Sequence, residues 1–166
     1  PQTGMLIARS TIENRSDEDL EVDWCTALCL PIDPRLTRFL SFTGKWSHEF
    51  AIEPIDTFQG SIVRENKSGR TSHNVFPGGI LVEAGTGEFA GRALGFHLAW
   101  SGNHRLRVDR HSDGQTVVQM GEMPFPGEIR LAKGESYATP DFLAAWSDSG
   151  LNSIRHAFHD YLLTAT

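Results

Sequence analysis

Residues 93–101 read ALGFHLAWS, and the alternation of large and small side chains in this stretch decides the fold class. The large side chains share one face of an extended strand, and the small side chains share the other face. We expect the large face, which ends at Trp100, to lie in a hydrophobic core. We expect the small face to pack closely against a neighbouring sheet.

Further strands are predicted on both sides of this stretch. Residues 104–110 and 116–120 alternate again, and the Ser-Asp-Gly of 112–114 is typical of a tight hairpin between them. Segments 128–131 and 135–139 are predicted as the last strands. Toward the N-terminus, extended segments are predicted at 7–12, at 21–30 until Pro31 ends it, at 38–43 until Gly44 breaks it, at 45–53, at 58–64 and at 79–83.

The hydrophobic period changes near residue 148. Leu151, Ile154, Phe158 and the pair at 161–162 recur at helical spacing, and Asp148 or Ser149 is a suitable N-cap for a helix of about four turns. The sequence therefore predicts an all-β fold, an antiparallel β-sandwich with one C-terminal α-helix. We expect the sandwich to occupy residues 1–147 and the helix residues 148–166.

Composition excludes several functional classes. The chain has 166 residues and a formal net charge of −6, and no Lys/Arg block stands out, which argues against a nucleic-acid partner. No apolar run approaches the roughly 18 residues of a membrane span, and no signal peptide is evident. Cys25 and Cys29 are expected to be buried free thiols, which favours a cytoplasmic location. No cofactor or metal is expected, because His156 and His159 lack a third ligand.

Short motifs follow one another in a fixed order along most of the chain. GKWSHE lies at 44–49, GRTSH at 69–73 and WSGN at 100–103, and GE at 134–135, TP at 139–140 and SDSGL at 147–151 follow. Each motif is weak alone, but their order resembles the N-terminal domain of family 36 glycoside hydrolases, the α-galactosidases or melibiases. Lys45 departs from the pattern, because Arg is often seen there, and this could alter a bidentate contact.

The resemblance implies a β-supersandwich similar to that of galactose mutarotases, of which this chain is a fragment. It also implies a (β/α)8 barrel with two catalytic Asp residues in a retaining mechanism that releases terminal α-galactose. Neither catalytic segment has a counterpart here. We therefore expect a non-catalytic domain that packs on its barrel, is linked to it by the helix at 148–166, and supports a homo-oligomer.

Four residues in these motifs are candidates for contact with an α-galactoside or with another domain. Trp46 could stack on a sugar face or wedge between sheet and barrel. Arg70 could donate to sugar hydroxyls or to a carboxylate across an interface. His73 could act on a sugar or bond to backbone in its loop, and Asn103 could bind a ligand or stabilise a turn.

Two other functions stay open at the level of sequence. A mutarotase-like sugar epimerase would use His73 or His97 with a glutamate on the concave face of the sheet. A free-standing carbohydrate-binding module would bind sugar without chemistry.

Overall fold

The computed structural model describes residues 4–56 and 59–164, so the predicted strand start at Phe58 lies outside the described residues. Short antiparallel strands dominate the described part, and one helix follows them. The strands are β1 (Met5–Ala8), β2 (Thr11–Glu13), β3 (Leu20–Glu21), β4 (Leu28–Ile32), β5 (Leu36–Lys45), β6 (His48–Asp56), β7 (Gly60–Asn66), β8 (Gly78–Glu83), β9 (Ala93–Leu98), β10 (His104–Arg110), β11 (Thr116–Glu122), β12 (Arg130–Leu131), β13 (Ser136–Ala138) and β14 (Phe142–Ser147), and the helix is α1 (Leu151–Thr164).

Two sheets form the sandwich. The larger is six-stranded in the order β1-β14-β9-β8-β5-β6, and the smaller is four-stranded in the order β4-β11-β10-β7. Two short ribbons, β12-β3 and β13-β2, complete the pairing, and the paired strands run antiparallel throughout. The predicted antiparallel sandwich with one C-terminal helix is confirmed.

The main core lies between the two sheets. Phe96 of β9 stacks between Phe39 of β5 and Phe142 of β14, with ring centroids 6.1 Å and 6.2 Å apart. The smaller sheet supplies aliphatic partners to the same cluster, among them Leu106 and Val118. These side chains are almost fully buried, so the aromatic stack lines the core side of the larger sheet and packs against the aliphatic side chains of the smaller one.

The small face of the 93–101 stretch packs under the helix rather than against a sheet, so that prediction was wrong. α1 crosses the outer face of the larger sheet over β14, β9 and β1. A Cβ added to Gly95 would lie 2.4 Å from Cγ2 of Ile154, the buried residue of the helix. The small residues of β9 therefore set the distance between sheet and helix.

The start of α1 also differs from the prediction. The amide of Leu151 donates to the carbonyl of Gly87 at 3.0 Å, and the amide of Asn152 donates to that of Glu88 at 2.9 Å. The β8–β9 loop thus supplies the acceptors that Asp148 or Ser149 was expected to provide as an N-cap. The sequence does not reveal this cap because its acceptors lie about sixty positions upstream.

The largest omission of the sequence prediction is β14. Residues 142–147 read FLAAWS without alternation, because β14 is buried on one side by the main core and on the other by α1. A run that is apolar on both faces lacks the period of two, and it directly precedes the helix. The predicted end of the strands at residue 139 was therefore wrong.

The predicted strand at 21–30 is two separate strands, β3 and β4. The intervening chain crosses the smaller sheet at Gly121, where an added Cβ would lie 2.2 Å from the carbonyl oxygen of Cys25. Pro31 does not end β4 but lies inside it, which is possible because β4 is an edge strand.

Two other predicted boundaries shift. The segment at 7–12 divides between β1 and β2, which pair with different strands. Gly44 does not interrupt β5; it lies at an irregularity in the pairing with β6. Its lack of a side chain matters there, since an added Cβ would lie 2.7 Å from the carbonyl oxygen of His48.

Candidate functional site

Trp46 lies in the tight turn that joins β5 to β6. The turn holds Trp46 and Ser47, between the paired residues Lys45 and His48. Ser47 has a φ of 65°, and its amide donates to the carboxylate of Glu49 at 2.8 Å. The indole of Trp46 is 84% exposed and makes no hydrogen bond or ring contact with residues 4–56 or 59–164. The turn is well defined, but its large apolar side chain is left in solvent.

An apolar cluster lies beside this hairpin on the outer face of the larger sheet. The ring of Phe76 meets those of Phe42 and Phe50 edge to face, at 5.6 Å and 5.7 Å between centroids. Ile52 pairs with Phe42 across the strands and therefore points to the same face. Phe50 and Ile52 are 58% and 59% exposed. We call Phe42, Phe50, Ile52 and Phe76 the outer apolar patch.

The backbone of Phe50, whose ring packs in this patch, has a strained conformation. Phe50 has a φ of 55°, a left-handed conformation that costs a bulky residue on the order of 1 kcal/mol or more. Its contact with Phe76 offsets part of that cost. A groove of about 380 Å³ then separates the patch from α1, and Phe158 and Leu162 line its far side.

His97 lies at the edge of the same groove but is held as a structural residue. Its ring stacks on Phe76 at 5.1 Å, and its Nδ1 lies 2.9 Å from the carbonyl oxygen of Pro77. Burial lowers the pKa of His97, so the neutral ring is favoured. Within the described ranges, neither His97 nor His73 hydrogen-bonds to a carboxylate.

Asn103 is the centre of a cluster of loops at one end of the sandwich. Its Oδ1 accepts the amide of Gly69 at 2.7 Å. Its carbonyl oxygen accepts the indole Nε1 of Trp100 at 3.0 Å and the amide of Met123 at 2.9 Å. Asn103 therefore ties three loops together through its side-chain oxygen and its carbonyl oxygen.

Arg70 and His73 lie in the loop that Asn103 anchors. The carbonyl oxygen of Arg70 accepts Nδ2 of Asn66 at 2.7 Å, and the Arg70 side chain is exposed. His73 is half-buried in a turn closed by a bridge between Ser72 and Val75. The fold thus brings Arg70 and Asn103 to adjacent loops. In the described part of the chain, neither of them hydrogen-bonds to Trp46 or forms a ring contact with it.

Trp100 was expected in the core, and that prediction was wrong. β9 ends at Leu98, and the chain then turns, so the indole is 40% exposed beside Phe125, which is 57% exposed. Sequence reasoning missed this pair because alternation was extended past the end of the strand. The chain already turns after Leu98, where the amide of Trp100 donates to the carbonyl oxygen of Leu98 at 2.8 Å, ahead of the turn that Asn103 was expected to stabilise.

The remaining predictions concern metals and thiols. Among residues 4–56 and 59–164, no three metal-ligating side chains come together, and His156 and His159 are both exposed on α1. Cys25 is half-buried but Cys29 is exposed, so the expectation of two buried thiols was wrong for Cys29.

In the described part of the chain, no helix has the length and apolar character needed to cross a bilayer.

Comparison with known proteins assigns this architecture to a family. Residues 1–132 match the glycosyl hydrolase family 36 N-terminal domain. The chain is 35% identical over 160 residues to an α-galactosidase of Escherichia coli, and 30% identical over 158 residues to the α-galactosidase Mel36A of Lactobacillus acidophilus. These matches cover 96% and 95% of the chain but only 22% of each relative.

Solved structures support the same family assignment. The crystal structure of the family 36 α-galactosidase AgaB from Geobacillus stearothermophilus superposes with a TM-score of 0.89 at 27% identity, over 95% of this chain and 22% of that one. AgaA from the same organism, solved in complex with raffinose, superposes with a TM-score of 0.88 at the same identity and coverage. The chain spans about a fifth of the length of these relatives. It belongs to glycosyl hydrolase family 36, as the N-terminal domain of that family.

Proposed function

We propose that this chain is a non-catalytic domain of an α-galactosidase that releases terminal α-galactose from galacto-oligosaccharides. In this proposal the chemistry belongs to a barrel domain elsewhere in the full-length protein. The supporting facts are the family match and the 22% coverage of relatives named as α-galactosidases. The domain itself contributes architecture, with residues 1–147 as the sandwich and residues 148–166 as the connection toward the barrel.

The observation that carries the architectural role is the outer apolar patch. Isolated exposed apolar residues are normal, but a contiguous apolar cluster on a folded protein marks an interaction site. Here Phe50 and Ile52 are more than half exposed next to Phe42 and Phe76, above an apolar groove. The occupant we propose is the remaining polypeptide of the same protein, because the relatives carry more than three times as much chain beyond the matched part.

Trp46 and Arg70 fit contacts with the barrel or with a second subunit. The indole of Trp46 is 84% exposed at a hairpin tip, so a partner that covered it would gain the free energy of burying a large apolar ring. The guanidinium of Arg70 is exposed and suits a carboxylate or sugar hydroxyls. Both residues can therefore serve assembly of a homo-oligomer and the edge of an α-galactoside site. The free thiols of Cys25 and Cys29 support a cytoplasmic protein.

Substitution of a patch residue in the full-length protein tests this role. Ile52→Lys should lower the melting temperature and the activity toward an aryl α-galactoside, because a charge would be buried against the neighbouring domain. The same change should hardly affect the melting of residues 1–166 alone, where position 52 is exposed.

Val63→Lys is the matched control, since Val63 is 47% exposed on an edge strand of the other sheet. Equal effects of the two substitutions in the full-length protein would contradict the proposed contact. Turnover of the aryl α-galactoside by residues 1–166 alone would contradict the non-catalytic role.

A further inference from the structure

We propose that the cleft between Trp100 and Phe125 is a binding site for one pyranose ring of a neutral saccharide. The cleft lies among the loops at one end of the sandwich and has a volume of about 270 Å³. That volume is near the lower end of ligand pockets, so it suits a single sugar unit rather than a long chain. The residues that carry the argument are Gly69, Trp100, Asn103, Glu122, Phe125 and Glu128.

The first observation is that the aromatic surface is rigid. The indole Nε1 of Trp100 donates to the carbonyl oxygen of Asn103, and the ring packs on Gly102, where an added Cβ would lie 2.7 Å from Nε1. Because the ring is already fixed, a ligand that stacks on it loses little conformational entropy. An exposed aromatic ring held in this way is suited to the C–H face of a sugar.

The second aromatic residue is held independently. The amide of Phe125 donates to the carboxylate of Glu128 at 2.6 Å, and the amide of Glu128 donates back to the carbonyl oxygen of Phe125 at 3.0 Å. This closed turn presents the Phe125 ring at the cleft. Met123 joins the turn to the Asn103 cluster through its amide.

Two carboxylates line the same cleft as the two rings. Glu122 accepts the hydroxyl of Tyr137 through Oε1 at 2.7 Å, and Glu128 accepts the Phe125 amide through Oε2. In each carboxylate the second oxygen has no hydrogen-bond partner within the described ranges. Carboxylate oxygens are strong acceptors for hydroxyl groups. Aromatic faces combined with such acceptors match a polyhydroxylated ring, which is apolar on one face and carries donors around its edge.

This site is separate from the proposed contact with the rest of the protein. The cleft shares no residue with the outer apolar patch, and the two features lie on different loops and strands. Failure of one proposal therefore leaves the other untouched. The variant Ile52→Lys should bind sugar normally in residues 1–166.

The test is titration of residues 1–166 with galactose, melibiose and raffinose, followed by NMR chemical shifts of the tryptophan indole groups. We expect saturable binding that shifts Trp100, and a roughly tenfold weaker affinity in Phe125→Ala, equivalent to about 1.4 kcal/mol. Phe125 is exposed, so its removal should leave the fold intact even if Trp100→Ala does not fold. Phe89→Ala is the matched control, since Phe89 is 80% exposed and does not line the cleft, and its affinity should not change.

Several outcomes would overturn the site. Absence of saturable shifts at high sugar concentration would do so, as would unchanged affinity in Phe125→Ala. Loss of binding in Trp46→Ala instead would place the sugar at the hairpin. Equal shifts with the acyclic polyol xylitol would show that no pyranose ring is recognised.

Discussion

The outer face of the six-stranded sheet has two halves that differ in what covers them. Over β1, β14 and β9 the helix α1 seals the face, with Ile154 seated on Gly95. Val82 of β8 still packs in the same cluster as Ile154, but toward β6 the apolar residues Phe50 and Ile52 remain in solvent. The difference teaches that the side chains of this sheet are patterned for coverage on both halves, and that only one half receives it from the described chain.

The largest expected contrast comes from truncating one isoleucine on each half. Ile154→Ala should lower the free energy of unfolding of residues 1–166 by about 2–4 kcal/mol, because a buried side chain leaves a cavity. Ile52→Ala, at an exposed site, should change it by less than about 0.5 kcal/mol. Urea unfolding followed by tryptophan fluorescence measures both values. Similar losses for the two variants would remove the distinction between the halves.

A somewhat smaller effect should follow from filling the contact between sheet and helix. Gly95→Ala places a methyl group against Ile154 and should cost about 1–3 kcal/mol, because the helix or its side chain must shift. Gly87→Ala is the control, since an added Cβ there meets nothing within 4 Å. Thermal unfolding would measure the stability of both variants. An unchanged stability of Gly95→Ala would show that the helix does not pack as described.

The smallest predicted effect is on the pH dependence of stability, through His97, which lies at the groove beside the outer apolar patch. Burial is the main cause that lowers the pKa of His97, and the same cause lowers that of His104. The unfolded chain therefore takes up protons at a higher pH than the folded chain, and stability is lost as pH falls below about 6.5. His97→Gln should make the free energy of unfolding less dependent on pH between about 7 and 5, as measured by urea unfolding.

The neighbourhood of His97 provides a check on this prediction. Arg155 and His159 of α1 line the same groove and are the helix groups that face His97. The slope that remains in His97→Gln should come mainly from His104. An unchanged slope would mean that His97 is accessible to protons in the folded state.

Local patterns in the sequence predicted much of this fold. The alternation of residues 93–98 gave a strand with the correct core face, and Ser112–Gly114 correctly marked the hairpin between β10 and β11. These features depend on neighbours in sequence. The helix was predicted for the same reason, since Ile154 and Phe158 recur at helical spacing.

The features that were not predicted depend on residues far away in the sequence. β14 lacks alternation because two different layers cover it, and the helix start is capped by Gly87 and Glu88. The exposure of Trp100 follows from a turn stabilised by Asn103, whose carbonyl oxygen holds the indole. The order of the motifs identified the loops that hold the site candidates. Only the structure shows that Asn103 anchors loops, whereas the ring of Trp46 is exposed.

Hydroxyl-radical footprinting of Phe50 and Trp46 tests most directly whether the uncovered half is covered in the full-length protein. Residues 1–166 alone and the full-length protein would be oxidised under the same dose, and Phe89, which is 80% exposed, serves as the internal reference. We predict that Phe50 and Trp46 react severalfold more slowly in the full-length protein than in the isolated chain. Equal reactivity of Phe50 in the two proteins would contradict the account.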